Sequence, residues 1–282
     1  MQTVAITGAS GFVGSSLKQM FEKQNFKVLS IKRDELQNLE KLTTIINESD
    51  ILINLAGASI INRWSEEYKK ILYSSRIETT KYLLDAITQS QNRPKYFIST
   101  SAIGIYKNND TYDEDSLDLE NDFLANLCKE WEEIALEAKM YGVKTSIFRF
   151  GIVMGKGGAL AKMLLPFKLG IGGTIASGKQ AFSFIHIEDL MRAYKFVIEQ
   201  ELEGVFNLCA PTSTTNEGLT RTLGKKLHRP TFFPIPEFVL KLLFGEGSKV
   251  LCDGQRVIPK RLIENGFEFK YENIDQTIQD LV

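Results

Sequence analysis

The 282-residue chain lacks a charge excess of either sign: 34 Lys and Arg stand against 35 Asp and Glu, for a formal net charge of −1. No net field draws such a chain to nucleic acid or to an anionic membrane, so neither is an expected partner. Cysteine is scarce, and Cys128, Cys209 and Cys252 are far apart with no C-x-x-C pair. That excludes a readable disulfide framework or zinc site and points to a reducing, cytoplasmic setting. Histidine is scarcer still, with His186 and His228 alone. No apolar run approaches the roughly 18 residues that span a bilayer. With the strand-like Thr3-Val4-Ala5-Ile6 so close to Met1, no secretory leader is expected. Internal repeats and low-complexity tracts are absent as well.

What is present is an ordinary globular composition, 43% hydrophobic and 24% charged, so most of the chain is expected to fold. Short β-rich runs at residues 4–7, 27–31, 51–55, 96–100 and 145–150 alternate with amphipathic helical patterns at 14–23, 66–89 and 122–140. That alternation predicts βαβ units and a Rossmann-type, doubly wound parallel α/β sheet. Seven glycines between Gly155 and Gly178 predict loops around a site at 155–181. A strand at 182–187, a helix at 189–199 and a strand at 205–208 return the chain to α/β texture. Two helical patterns at 217–227 and 238–244, then a helix ending near Asn265-Gly266, suggest a smaller, mainly helical substrate domain. The expected division is residues 1–212 and 213–282.

Thr7-Gly8-Ala9-Ser10-Gly11-Phe12-Val13-Gly14 follows the first strand and opens a helix. Glycines there allow a tight turn and bring backbone N–H groups close to a diphosphate at a helix N-terminus, so a dinucleotide is the implied ligand. The spacing is G-x-x-G-x-x-G rather than G-x-G-x-x-G, and a glycine turn that only packs strand on helix is the alternative. At the end of the second strand Lys32-Arg33 stands where a carboxylate would hold a ribose 2′-hydroxyl. Two cations favour the 2′-phosphate of NADP, with Arg33 the chief contact. Asp34 would take the ribose if the strand ended one residue later. Leu55, Ala56 and Gly57 close the third strand with small residues that let a ribose or diphosphate pass. Arg76 either faces solvent as a helix charge or points toward a phosphate. Arg149 and Gly151 close the fifth strand, where they could line the nicotinamide end.

These marks resemble the short-chain dehydrogenase/reductase superfamily in its extended, nucleotide-sugar-epimerase-like form. They include the glycine loop, Asn54-Leu55-Ala56-Gly57, Ser101-Ala102-Ile103-Gly104-Ile105-Tyr106 and Phe184-Ile185-His186-Ile187-Glu188-Asp189. Asn62-Arg63-Trp64, Ser75-Arg76-Ile77, Cys128-Lys129-Glu130-Trp131-Glu132, Gly157-Gly158-Ala159-Leu160 and the run from Gly254 to Leu262 are similar, more narrowly, to an "epimerase family protein" branch with its own C-terminal domain. The resemblance implies a nicotinamide cofactor, a catalytic Ser at Ser101 and a Tyr-x-x-x-Lys helix. The chain departs from that pattern, with Leu124 and Cys128 at the two helix positions, and leucine cannot exchange a proton. Tyr106 is then either the replacement phenol or a packing aromatic, and Lys129 a surface charge. The resemblance therefore implies either an NADP(H)-dependent oxidoreductase or epimerase acting on a small polar, nucleotide-linked or similar substrate, or a catalytically silent NADPH-binding sensor or scaffold. Either would be a monomer or a dimer.

Among the remaining residues, Asp189 reads as a helix N-cap and His186 as a structural histidine inside a β-run. Lys156, Lys162, Lys168 and Lys179 either wrap a substrate or decorate a solvated loop. Gln255, Arg256, Lys260 and Arg261 form a polar cluster expected on the helix that ends near residue 265.

Overall fold

The computed structural model describes residues 1–108 and 110–282. Six strands, Thr3–Thr7 (β1), Lys27–Ile31 (β2), Ile51–Asn54 (β3), Tyr96–Ala102 (β4), Lys144–Phe150 (β5) and Gly204–Leu208 (β6), form one sheet. Their order is β6-β5-β4-β3-β1-β2, and every pairing is parallel. The strands are apolar on both sides because helices cover both faces of the sheet. Ala5, Leu52, Phe97 and Ile147 point into one layer, against Leu72, Leu83, Ile87 and Trp131 from the helices Glu66–Ser74, Ile77–Gln89 and Phe123–Leu136. Val4, Ile6, Ile53, Ile98, Phe148 and Phe206 point into the other. There they meet Leu17 and Phe21 of the helix Phe12–Lys23 and Leu190, Tyr194 and Val197 of the helix Ile187–Glu199. Burying one such side chain contributes about 1.5–3 kcal/mol, so the two layers together, rather than any single contact, hold the sheet. β1 is flanked by β2 on one side and β3 on the other. The connection reverses direction there, and in sheets of this kind ligands bind at the carboxyl ends of the strands on either side of such a switch point, here β1 and β3.

The single helix expected over 66–89 is two helices. Ser75 Oγ donates to the Leu72 carbonyl (3.2 Å) and accepts from Ala58 N (3.0 Å), so its side chain competes with helical bonding at the break. The strand expected over 182–187 also divides. Ala181–Phe182 pairs antiparallel with Thr214–Thr215, whereas Phe184–His186 pairs parallel with Ile152–Met154. Ser183 marks the division, its Oγ donating to Gln255 O and accepting from Val257 N. The span 155–181, expected to be loops, contains the helix Gly158–Lys168, whose Leu160 and Phe167 are buried. Burial of that apolar face outweighs the cost of Gly158 and Pro166 in a helix.

Asp189 is not the N-cap. His186 occupies that position, its Nδ1 accepting from Glu188 N at 3.0 Å. Asp189 is fully buried and accepts from the backbone N–H groups of Lys270 and Tyr271 and from Arg192. The polar cluster expected on one helix is not on one helix either: Arg256–Val257 pairs with Thr111–Tyr112 as a strand, and the helix Lys260–Glu264 begins after it. Lys260 and Arg261 are ion-paired to Asp115, at 2.6 and 2.9 Å. The helices Asn216–Leu227 and Ile274–Leu281 pack together and share an apolar cluster with Gly158–Lys168 through Leu160, Phe167, Leu219, Leu223, Ile274 and Ile278. Among the described residues no helix is long and apolar enough to cross a membrane.

Candidate functional site

The glycine loop passes from β1 directly into the helix Phe12–Lys23. Gly8 adopts φ +66°, and a Cβ there would stand 2.8 Å from Leu55 O. A Cβ on Gly14 would stand 2.2 Å from Gly8 O. Packing alone therefore demands both glycines. Gly11 differs, because it is exposed and a Cβ on it would meet only Gly8 O, at 3.2 Å. It is also the N-cap of the helix and offers no side-chain cap. The first-turn N–H groups thus lack a capping acceptor and present partial positive charge, an arrangement that fits a phosphate. Phe12 seals the loop from one side, since Cβ atoms on Gly155, Gly157 or Gly158 would all strike its ring.

At the end of β3, buried Asn54 fixes the path of the chain. Its Oδ1 accepts from Thr7 Oγ1 (2.7 Å) and its Nδ2 donates to Thr80 Oγ1 (2.9 Å). Thr7 Oγ1 in turn accepts from the backbone N of Leu55 and Ala56, at 3.0 and 3.2 Å. These bonds press Leu55 and Ala56 against Gly8 and carry Gly57 to the surface at the carboxyl end of β3. Arg76, at the break between the two helices, reaches the same place: its Nη2 donates to Ala58 O at 3.0 Å. Of the two alternatives for Arg76, the structure places the side chain inward, and burial pulls its pKa down from the ordinary arginine value. On the opposite flank, β2 ends at Ile31, and exposed Lys32 and Arg33 lead into the short helix Arg33–Leu36. Glu35 accepts from Lys32 N at 2.7 Å and so holds this turn.

Ser101 and Tyr106 come together in one buried network. Ser101 Oγ donates to Glu132 Oε1 at 2.6 Å. Arg149 grips the same carboxylate with Nε (2.8 Å) and Nη2 (2.7 Å), and its Nη1 donates to the Tyr106 hydroxyl at 2.7 Å. That hydroxyl donates onward to Asn207 Oδ1 at 3.0 Å. Asn207 N donates to Glu114 at 2.8 Å, which links the network to the backbone of Arg261. Tyr106 and Asn207 are wholly buried and Ser101 nearly so. Burial pushes the Tyr106 phenol up to about 12 despite the pull of Arg149, so it stays protonated at neutral pH. Burial also pulls on Arg149, but its bonds and charge contact with Glu132 outweigh that and hold it charged.

Cys128, at the expected lysine position, is a buried thiol pushed up to about 11, first by burial and then by Glu132. It has no thiolate character at neutral pH. Leu124 packs at the edge of the core. Lys129 is half-buried rather than a free surface charge, its Nζ donating to Glu120 O at 2.6 Å. Gly151 is buried, and a Cβ on it would stand 2.9 Å from Ser183 O. Lys179 borders a recess of about 460 Å³ with Gln180, Gly254 and Arg256. The sequence alone does not place Glu114, Glu132 or Asn207 in this network. Glu132 did carry a signal, four residues beyond Cys128 and so on the same helix face.

Known proteins resemble this chain in sequence and in fold. The family described as "NAD dependent epimerase/dehydratase family" matches residues 4–209, and a domain of unknown function, DUF1731, matches residues 235–281. Epimerase family protein YfhF of Bacillus subtilis is 34% identical, over 99% of this chain and 97% of its own length. Mouse epimerase family protein SDR39U1 is 36% identical, over 99% of each chain. A crystal structure of human SDR39U1 (isoform 2) with NADPH superposes with a TM-score of 0.91 at 34% identity, over 99% of each chain.

Proposed function

The chain belongs to the NAD-dependent epimerase/dehydratase family, and from that membership we propose that it is an NADP(H)-dependent oxidoreductase or epimerase of the extended short-chain dehydrogenase type, acting on a small polar carbonyl or alcohol. The observation that carries the reading is the open helix N-terminus at Gly11, set between two glycines that packing requires, with Lys32 and Arg33 on one flank. The human relative described with NADPH supports the same cofactor here.

In this reading the backbone from Gly8 through Ser10, Gly11, Phe12 and Val13 to Gly14 receives the diphosphate. Lys32 and Arg33 take a 2′-phosphate, and Leu55, Ala56 and Gly57 pass along the ribose. NADPH supplies the hydride when bound. Arg149 and Gly151 shape the far end from within the core, where Arg149 orients Glu132 and Tyr106. Ser101 with Tyr106 is the proposed proton-handling pair. Because both hydroxyls are buried and engaged, a water carries the proton between them and the substrate.

That same engagement favours a second reading. With Ser101 Oγ bound to Glu132 and Tyr106 bound to Arg149 and Asn207, the protein could hold NADPH without turning it over, as a sensor or scaffold acting through residues 213–282. Single-turnover NADPH oxidation with a panel of carbonyl compounds separates the two. Oxidation that Ser101→Ala and Tyr106→Phe abolish supports the enzyme. No oxidation by any carbonyl, together with a protein partner retained only in the NADPH-bound state, supports the sensor. For the cofactor assignment, Arg33→Ala is expected to lower the preference for NADPH over NADH about tenfold or more, because a charge-assisted contact to phosphate is lost. An unchanged preference removes Arg33 from the site.

A further inference from the structure

We propose that the exposed apolar face built from residues 232–238, the helix Glu237–Phe244 and the end of the helix Gly158–Lys168 docks on a membrane surface that carries anionic lipids. This goes beyond the cofactor reading and does not depend on it. Every residue from Phe232 to Phe238 is exposed, and of the seven only Glu237 carries a charge. Phe232 is 80% exposed, Phe238 71% and Leu242 72%, so these side chains project from the surface rather than rest on it. Single exposed apolar residues are ordinary, but a contiguous group marks an interaction site.

The backbone makes this group contiguous. Phe233 N donates to Gly172 O (3.4 Å), Ile235 N to Thr174 O (2.8 Å) and Ala176 N back to Ile235 O (2.9 Å), so the two segments run side by side. Exposed Leu169 and Ile171 lead into the first of them, and exposed Leu165 lies one turn before Leu169 on the same helix face. Phe238 and Leu242 share one face of the helix Glu237–Phe244, while Leu240 on its other face is buried. Pro234 and Pro236 restrict the loop between them, which holds the phenylalanines outward at little cost in entropy.

The charge around this face decides what covers it. The chain as a whole is balanced, but residues 151–187 hold four lysines and no carboxylate, and residues 218–245 hold five Lys or Arg against Glu237 alone. Glu237 is itself paired to Lys241, at 2.7 Å. Among the described residues Lys162, Lys168, Lys225 and Arg229 are exposed and in no ion pair. Phe232 lines a recess of about 410 Å³ with Arg221, Lys225, His228 and Arg229, which sets an apolar ring beside cations. Aromatic and aliphatic side chains that enter the interface of a bilayer, with cations around them to meet its phosphates, suit an anionic lipid surface. A second copy of the chain fits worse, because a two-fold interface would set the cationic rim against itself. A protein groove would need a shape matched to a loop and two helices at once, whereas a fluid interface needs none.

Vesicle flotation of the full chain tests this. Vesicles of phosphatidylcholine alone are compared with vesicles of phosphatidylcholine and phosphatidylglycerol in equal parts, at low and at high salt. The wild type is expected to bind the phosphatidylglycerol vesicles at least tenfold more tightly than phosphatidylcholine alone, and to be released by salt. Phe232→Ser combined with Phe238→Ser is expected to weaken that binding about tenfold or more at an unchanged thermal midpoint, since both side chains are exposed. Lys225→Gln combined with Arg229→Gln is expected to weaken it and to flatten its salt dependence. A wild type that does not float with phosphatidylglycerol vesicles overturns the proposal, and so does binding that both double variants leave unchanged. A wild-type dimer that ignores vesicles and that the phenylalanine variant turns into a monomer gives the face to a second copy instead, and also overturns it.

Discussion

Glu132 and Arg149 face each other with side chains only 8% and 9% exposed, so each neutralises a charge the core could not otherwise hold. Arg149→Met leaves the carboxylate buried and unpaired, and is expected to lower stability by about 3–5 kcal/mol in urea denaturation. Replacing both residues with apolar ones recovers most of that loss. A single variant that costs no more than about 1 kcal/mol would mean that water reaches the pair. Part of this was legible at the residue scale. Leu124 and Cys128 announced in the sequence that the usual acid and its lysine were missing. The partners of Ser101 and Tyr106 were not legible, because Glu132, Arg149 and Asn207 come from a helix and two strands that only the fold brings together.

Among elements, the loop from β1 into its helix contains glycines that do different work, and substitution should separate them. Gly14→Ala forces a Cβ to within 2.2 Å of Gly8 O, and is expected to destabilise the fold by about 1–3 kcal/mol or more, read as a lower thermal midpoint. Gly11→Ala meets only Gly8 O, at 3.2 Å, a tight contact that a shift of a few tenths of an ångström relieves, so it should lower the midpoint much less than Gly14→Ala while weakening NADPH binding through crowding of the phosphate position. Similar midpoints for both variants would contradict this division. The six parallel strands and most of the helices between them were readable because β-branched runs and amphipathic periods are local signals, but the helix Leu39–Asn47 between β2 and β3 was not read. The break at Ser75 and Arg76 was not, since the apolar period continues through it. The side chains that end the first helix bond to a loop some 17 residues away in sequence, a contact no window of sequence contains. The helix Gly158–Lys168 was hidden differently, behind glycines that serve the packing of Phe12.

In the molecule as a whole, the C-terminal segment is clamped to the sheet domain where the helix Ile187–Glu199 begins. Asp189 accepts from the backbone of Lys270 and Tyr271, His186 stacks on Tyr271 with ring centroids 3.7 Å apart, and His186 Nε2 lies 3.3 Å from Asp280. Burial lowers the His186 pKa below its ordinary 6.5, and the neighbouring Asp280, Asp189 and Glu188 oppose the shift without reversing it. The native state therefore favours the neutral ring. Its stabilisation is complete above about pH 6.5 and is lost as pH falls through the lower native value. Glu188 is depressed below its ordinary 4.5, its bonds to Lys270 and Tyr271 outweighing burial, so its own contribution is lost only at still lower pH. His186→Asn keeps a capping acceptor but cannot titrate. It is expected to flatten the fall in urea midpoint just below pH 6.5, whereas an unchanged slope would place the titration elsewhere. At this scale the sequence suggested the doubly wound sheet and a helical C-terminal part but not the clamp, because Asp189 read as an ordinary cap. NADPH binding at the carboxyl ends of β1 and β3 is the central claim, and a paired titration of the purified protein with NADPH and NADH, followed by nicotinamide fluorescence, tests it most directly. Saturable binding of NADPH, at least about tenfold tighter than NADH, is the result predicted from Gly11 and Arg33. Binding of neither would mean that the glycines serve packing alone, and would contradict both functional readings.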